Sequence, residues 1–166
     1  MTLTITASSA LWFLPFVLPV CAWVAWTDLS RMKIPNTAVL TLAGIFMVVG
    51  LMALPLAEYP WRLSHLAVML VAGVIANAAG LMGAGDAKFI AAASPFVALG
   101  DAAALSLMFA ATLLAAFATH RIIMHSRLRR MAPDWKSWSE SKKFPMGFAL
   151  GGTLVLYLSL GAIYGA

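Results

Sequence analysis

Two aspartates sit where a pair of carboxylates could hydrolyse a peptide bond. Asp28 directly follows the apolar run CAWVAWT and opens the stretch Asp28-Leu29-Ser30-Arg31-Met32-Lys33-Ile34-Pro35-Asn36. Asp86 follows a later apolar run, within Gly83-Ala84-Gly85-Asp86-Ala87-Lys88. Two carboxylates held close together cannot both ionise cheaply, so one proton is shared and the pair titrates as a unit. The ionised member can take a proton from water while the protonated member polarises a carbonyl. Chemistry of this kind needs no metal and no cofactor. The single cysteine, Cys21, excludes an intramolecular disulfide and a Cys-rich zinc module, and reads as a small buried apolar residue. Ser9, Thr27 and Ser30 have no His–Asp context, so a serine-nucleophile reading has no support.

The residues around each acid fit that chemistry. Gly83 and Gly85 lack a Cβ and would let a substrate backbone approach Asp86 closely. Pro35 cannot sit comfortably inside a helix and pushes Ile34 toward an extended conformation. Asn36 can then cap the helix that follows. Lys88 is either a cation that favours an ionised pair or an interfacial lysine reaching for headgroups. The plain alternatives are an interfacial or capping Asp28, and an Asp86 that only caps the next helix.

The elements that must position these acids are membrane spans. Of the 166 residues, 63% are hydrophobic and 10% charged, whereas soluble domains are roughly half apolar and about a quarter charged. The chain is therefore an all-α polytopic membrane protein. A spanning helix takes roughly 17–25 apolar residues. Six segments approach that length: 10–26, interrupted by Pro15 and Pro19, then 37–57, 63–82, 87–99, 102–124 and 144–164. The fourth contains Ser94-Pro95 and is the shortest; 13 residues reach only about 20 Å. It is expected to be a half-span, a tilted short helix, or a span completed by flanking residues, beside a shielded cavity. The first ten residues carry no Lys or Arg, so the first run is expected to be a retained span.

Charge then sets orientation. The net charge is +5, but the bases lie in loops between spans, a pattern that reports topology and not nucleic-acid binding. Loop 27–36 holds Arg31 and Lys33, and Lys88 follows loop 83–86. Loop 125–143 holds Arg127, Arg129, Arg130, Lys136, Lys142 and Lys143, with Arg121 just before it. These odd loops and their flanks carry ten of the eleven Lys and Arg; Arg62 alone lies elsewhere, in loop 58–62. Odd loops are expected in the cytoplasm and both termini outside. Asp28 and Asp86 each end an odd-numbered segment, so crossing parity places them on the same side.

The whole of 1–166 reads as one membrane-embedded domain, with 125–143 as a basic cytoplasmic loop too short for a core. Trp135 and Trp138 in that loop suit headgroup depth, and its bases suit anionic lipid. His65, Asn77 and His120 are expected to bond neighbouring helices, with Asn77 near Asp86, and Gly73 and Ala76 to permit close helix packing.

D-x5-I-P-N after a first span, with G-x-G-D-x-K after a later one, resembles the type IV prepilin peptidases, which are GxGD-type intramembrane aspartic proteases. Lys143-Phe144-Pro145-Met146-Gly147-Phe148-Ala149 is similar to that family's P-x-G-x-A segment opening the last span. The resemblance implies a GxGD-protease-like bundle of about six helices with Asp28 and Asp86 as the catalytic pair. It implies binding or structural support from Gly83, Gly85, Lys88, Pro35, Asn36, Pro145 and Gly147. The implied substrate partner is a membrane-anchored prepilin in the lipid bilayer. Its basic leader is cut at the cytoplasmic face of the bacterial inner membrane, just before a hydrophobic helix. Larger members carry a cytoplasmic zinc-binding insertion with Cys pairs and methylate the new N-terminus. The stretch ahead of Asp28 has no room for that insertion, so the chain resembles the short form found with tight-adherence (Flp-type) pili, or the archaeal preflagellin peptidases.

Two rival readings make different demands. A non-catalytic assembly factor of a pilus or secretion system would tolerate Asp→Asn at both positions. An ion-coupled transporter would want acids near the midplane or inverted repeats, and the sequence has neither.

Overall fold

The computed structural model describes residues 2–140 and 144–166; Lys142 and Lys143 of the basic loop lie outside the described residues. Six α-helices follow in order: α1 Ala7–Arg31, α2 Asn36–Ala53, α3 Tyr59–Ala78, α4 Ala84–Ala93, α5 Ala102–Met124 and α6 Met146–Tyr164. Five of these segments are long and apolar enough to cross a membrane, and α4 is not among them. Among the described residues the only extended pairing is a single bridge between Leu3 and Gly165.

Helix α1 starts further upstream than the apolar run suggests. Thr6 caps it by accepting the Ser9 N–H at 3.2 Å, and the helix runs on past Asp28 to a left-handed Met32 (φ 55°). Pro15 and Pro19 stay inside it, as membrane helices tolerate when neighbouring helices cover the freed backbone groups. Asp28 therefore belongs to the last turns of a helix and not to the loop that follows.

The fourth segment is a short helix followed by an irregular link. Pro95 has no N–H to give the Ala91 carbonyl, and the Ser94 hydroxyl donates to that carbonyl instead, at 2.8 Å. The chain then leaves the α-helix through 3-10 turns at Ser94–Phe96 and Leu99–Asp101. Its two ends lie far apart along α1. Asp86 interacts electrostatically with Asp28 near the end of α1. Asp101 accepts the N–H groups of Thr4 and Ile5, just ahead of the start of α1. The helix from Ala7 to Asp28 separates those levels, about 33 Å.

Helix α1 lies along α6, with α2 on one flank and α5 against α6 on the other. Phe13, Phe46 and Phe96 fill the middle, with ring centroids of Phe13 and Phe96 at 4.9 Å and of Phe46 and Phe96 at 5.3 Å, both edge-on. The outer faces of α2, α3 and α5 carry exposed Leu40, Val48, Val71, Ile75, Leu107 and Leu114, as lipid contact requires.

Asp101 is a structural acid that the sequence reading passed over. It is 3% exposed. Its Oδ1 accepts Thr4 N–H at 2.7 Å, and its Oδ2 accepts Ile5 N–H at 3.0 Å and the Tyr157 hydroxyl at 2.7 Å. Tyr157 in turn accepts the Ala98 N–H at 3.1 Å. Asp101→Ala leaves three donors without their acceptor. We expect it to destabilise the bundle by about 3 kcal/mol, seen as a lower thermal midpoint in detergent, with Asp101→Asn intermediate. An unchanged midpoint for Asp101→Ala would remove this role.

Candidate active site

The first turn of α6 begins with unsatisfied backbone N–H groups, as every helix does. Its N-cap residue, Pro145, offers no side-chain acceptor. Asp28 on α1 supplies one from across the bundle. Gly147 N–H donates to Asp28 Oδ2 at 2.6 Å, and the Phe148 amide also bonds the same carboxyl. Asp28 is 6% exposed, so it is neither an interfacial acid nor a cap for its own loop. Gly147 has to be small: a Cβ there would stand 2.9 Å from Asp28 Oδ2, 3.1 Å from Asp28 Cβ and 3.0 Å from Ile34 Cδ1.

Asp86 is held in a related way, by its own helix. It occupies the first turn of α4 and reaches back to the Gly83 amide, in the manner of the acidic residue of a capping box. A Cβ on Gly83 would lie 2.8 Å from Asp86 Oδ2. Each aspartate is thus bonded by a glycine amide, and the absent side chain of that glycine leaves room for the carboxylate.

Ile34 joins the two halves. A Cβ on Gly85 would lie 3.4 Å from Ile34 Cβ, and the one on Gly147 would touch the same side chain at Cδ1. Pro35, the backbone N-cap of α2, fixes the extended conformation that aims Ile34 between Gly85 and Gly147. In the sequence Ile34 is visible only as the isoleucine of I-P-N, with no sign of what it packs against. The space expected beside Gly83 and Gly85 for a substrate is taken here by Asp86 and Ile34.

The remaining expected site residues fall close by, with different partners. Asn36 does not cap α2 with its side chain; its Oδ1 accepts the Lys88 ammonium at 3.1 Å. Lys88 therefore ties α4 to the start of α2. Gly73 of α3 meets Ala87, where a Cβ would be 3.0 Å from the Ala87 Cβ, so close packing fixes the residue next to Asp86. Asn77 does not reach Asp86: its Nδ2 donates to the Met82 carbonyl at 2.9 Å and secures the turn after α3.

An apolar cavity of about 590 Å³ lies beyond the end of α4, lined by His65, Phe89, Val97, Leu105 and Phe109 among others. Neither aspartate lines it. They sit toward one end of the bundle, near the end of α1 and the start of α4.

The chain matches the type IV leader peptidase family over residues 15–120. It belongs to that family. No curated protein and no solved structure matches it. Membership of the type IV leader peptidase family brings a protease of that kind, acting on prepilin-type precursors. The matched stretch includes Asp28, Ile34, Gly83, Gly85 and Asp86 but ends before Pro145 and Gly147. The fold adds those last two to the site through the Gly147–Asp28 hydrogen bond.

Proposed function

We propose that this protein is an aspartic endopeptidase that removes the basic leader from a type IV or Flp-like pilin precursor, with Asp28 and Asp86 as its catalytic pair. The observation that carries the reading is that two carboxylates from different helices lie within electrostatic reach of each other, each bonded by a glycine amide. The ionised member of the pair takes a proton from water. The protonated member hydrogen-bonds the scissile carbonyl. The new hydroxyl attacks the carbonyl carbon, and the acid passes its proton to the departing nitrogen as the C–N bond breaks. Catalysis then needs no metal or other cofactor. The backbone amides of Gly147 and Gly83 hold one oxygen of each carboxylate in place, which keeps the pair oriented before substrate arrives.

The charge distribution supports a site at the cytoplasmic face of the bacterial inner membrane, because ten of eleven bases flank the odd loops. A pilin precursor presents its leader–helix junction at that depth. The test is reconstitution with a prepilin, reading the smaller product on a gel and its new N-terminus by sequencing. Cleavage at the leader–helix junction is expected from the wild type and none from the Asp28→Asn/Asp86→Asn double variant. Cleavage by the double variant, or none by the wild type, overturns the reading.

A further inference from the structure

The segment between α5 and α6 is anchored by an aromatic ladder. Trp26, next but one to Asp28 on α1, meets Trp135 edge-on at 5.3 Å. Trp135 stacks on Trp138 at 5.5 Å, and Trp138 stacks on His120 of α5 at 4.8 Å. His120 meets Phe144 edge-on at 5.8 Å, and Phe144 lies just ahead of the Pro145–Gly147 turn. Trp138 Nε1 donates to the Ala132 carbonyl at 2.7 Å, folding the segment on itself. One end of the ladder thus rests on the turn of α1 that carries Asp28, and the other lies three residues ahead of Gly147, whose amide bonds Asp28.

The outer face of this segment is a small amphipathic turn. Arg127–Met131 forms a 3-10 helix, in which residues three apart share an edge. Leu128 and Met131 make one edge, 55% and 84% exposed. Arg127 and Arg130 make the next edge, and both are exposed, as are Arg129 and Lys136. An exposed apolar edge beside a basic edge, at the end of a bundle of spans, fits the headgroup layer. The apolar edge enters the acyl boundary and the guanidinium groups meet phosphates. The same charge argues against a basic leader as the occupant.

We propose that the Arg127–Trp138 segment is a docking surface for anionic lipid, and that its docking through the ladder keeps Asp28 seated on Gly147. This rests on the reading of Asp28 as a catalytic carboxylate. Lipid phosphates hold the turn against the bilayer, the turn holds Trp135 and Trp138, and these clamp the ends of α1 and α5 together with the entry to α6. The tryptophans and arginines here are positioning residues.

The test is leader cleavage by the full-length protein in vesicles of phosphatidylcholine alone and of phosphatidylcholine with phosphatidylglycerol. The variant is Arg127→Gln/Arg129→Gln/Arg130→Gln, which touches neither the ladder nor the aspartates. Wild-type kcat is expected to rise roughly tenfold or more in the mixed vesicles, and high salt should erase the gain. The triple variant should match the wild type in neutral vesicles and show little gain in mixed ones. A substrate whose own leader prefers anionic lipid affects both proteins equally, so the difference between them isolates the enzyme's surface. Equal wild-type rates in the two vesicles, or an undiminished gain in the triple variant, overturn the proposal while leaving the peptidase reading intact. An absence of cleavage in every vesicle overturns the peptidase reading itself, and the proposal with it.

Discussion

Asp28→Asn and Asp86→Asn are each expected to slow leader cleavage by about 10²–10⁴-fold, with the protein still folded and inserted. The asparagine oxygen at position 28 can still accept the Gly147 N–H, so the first turn of α6 keeps its partner. The same holds at position 86 for the Gly83 amide. What is lost is the ability to hold or release the shared proton, which hydrolysis needs and packing does not. Alanine separates the two effects. Asp28→Ala also removes the acceptor at the buried start of α6, a loss of about 1 kcal/mol for a helix cap, so its thermal midpoint should fall below that of Asp28→Asn. Wild-type rates should pass through a maximum with pH, because the pair must carry one proton and not two or none. Either single asparagine variant retaining normal cleavage would remove the pair from the mechanism.

Much of this site is legible in the sequence, because the features that reveal it are local. Apolar runs report crossings, and counting crossings puts Asp28 and Asp86 at the same end of the bundle, where the fold brings them into electrostatic contact. Gly83, Gly85 and Pro35 were legible as residues with unusual backbone demands, and Gly147 only through the likeness of its segment to P-x-G-x-A. The partnerships were not legible, since they depend on packing between distant segments. Nothing around Asp28 announces that its acceptor serves α6. Asp101 looked like a loop residue, because its donors lie almost a hundred residues upstream, at Thr4 and Ile5. Ile34 looked like a residue waiting for a proline, because the glycines it packs against come from two other segments. The break in the fourth segment was half visible: Ser94-Pro95 marked it, but not the hydrogen bonds that tie Asp101 back to Thr4 and Ile5.

The three site glycines should respond differently to alanine, and the pattern separates positioning of the acids from room for substrate. Gly147→Ala drives a methyl to within 2.9 Å of Asp28 Oδ2 and 3.0 Å of Ile34 Cδ1. The carboxylate is the movable partner, so it swings off the Gly147 amide, and a displaced carboxylate costs catalysis more than it costs folding. Cleavage should fall by roughly 10²-fold. Adding Ile34→Val removes Cδ1 but leaves the contact with the carboxylate, so it should restore little. Gly83→Ala places a methyl 2.8 Å from Asp86 Oδ2, and its loss should be of similar size, through the other acid. Gly85→Ala differs: its methyl would meet Ile34 Cβ at 3.4 Å, an ordinary contact, and both acids stay in place. A normal thermal midpoint for Gly85→Ala with a raised KM would mean that the precursor backbone passes over Gly85, whereas normal cleavage would route it elsewhere. Wild-type rates for both Gly147→Ala and Gly83→Ala would show that the glycine–carboxylate seats do not set the geometry of the pair.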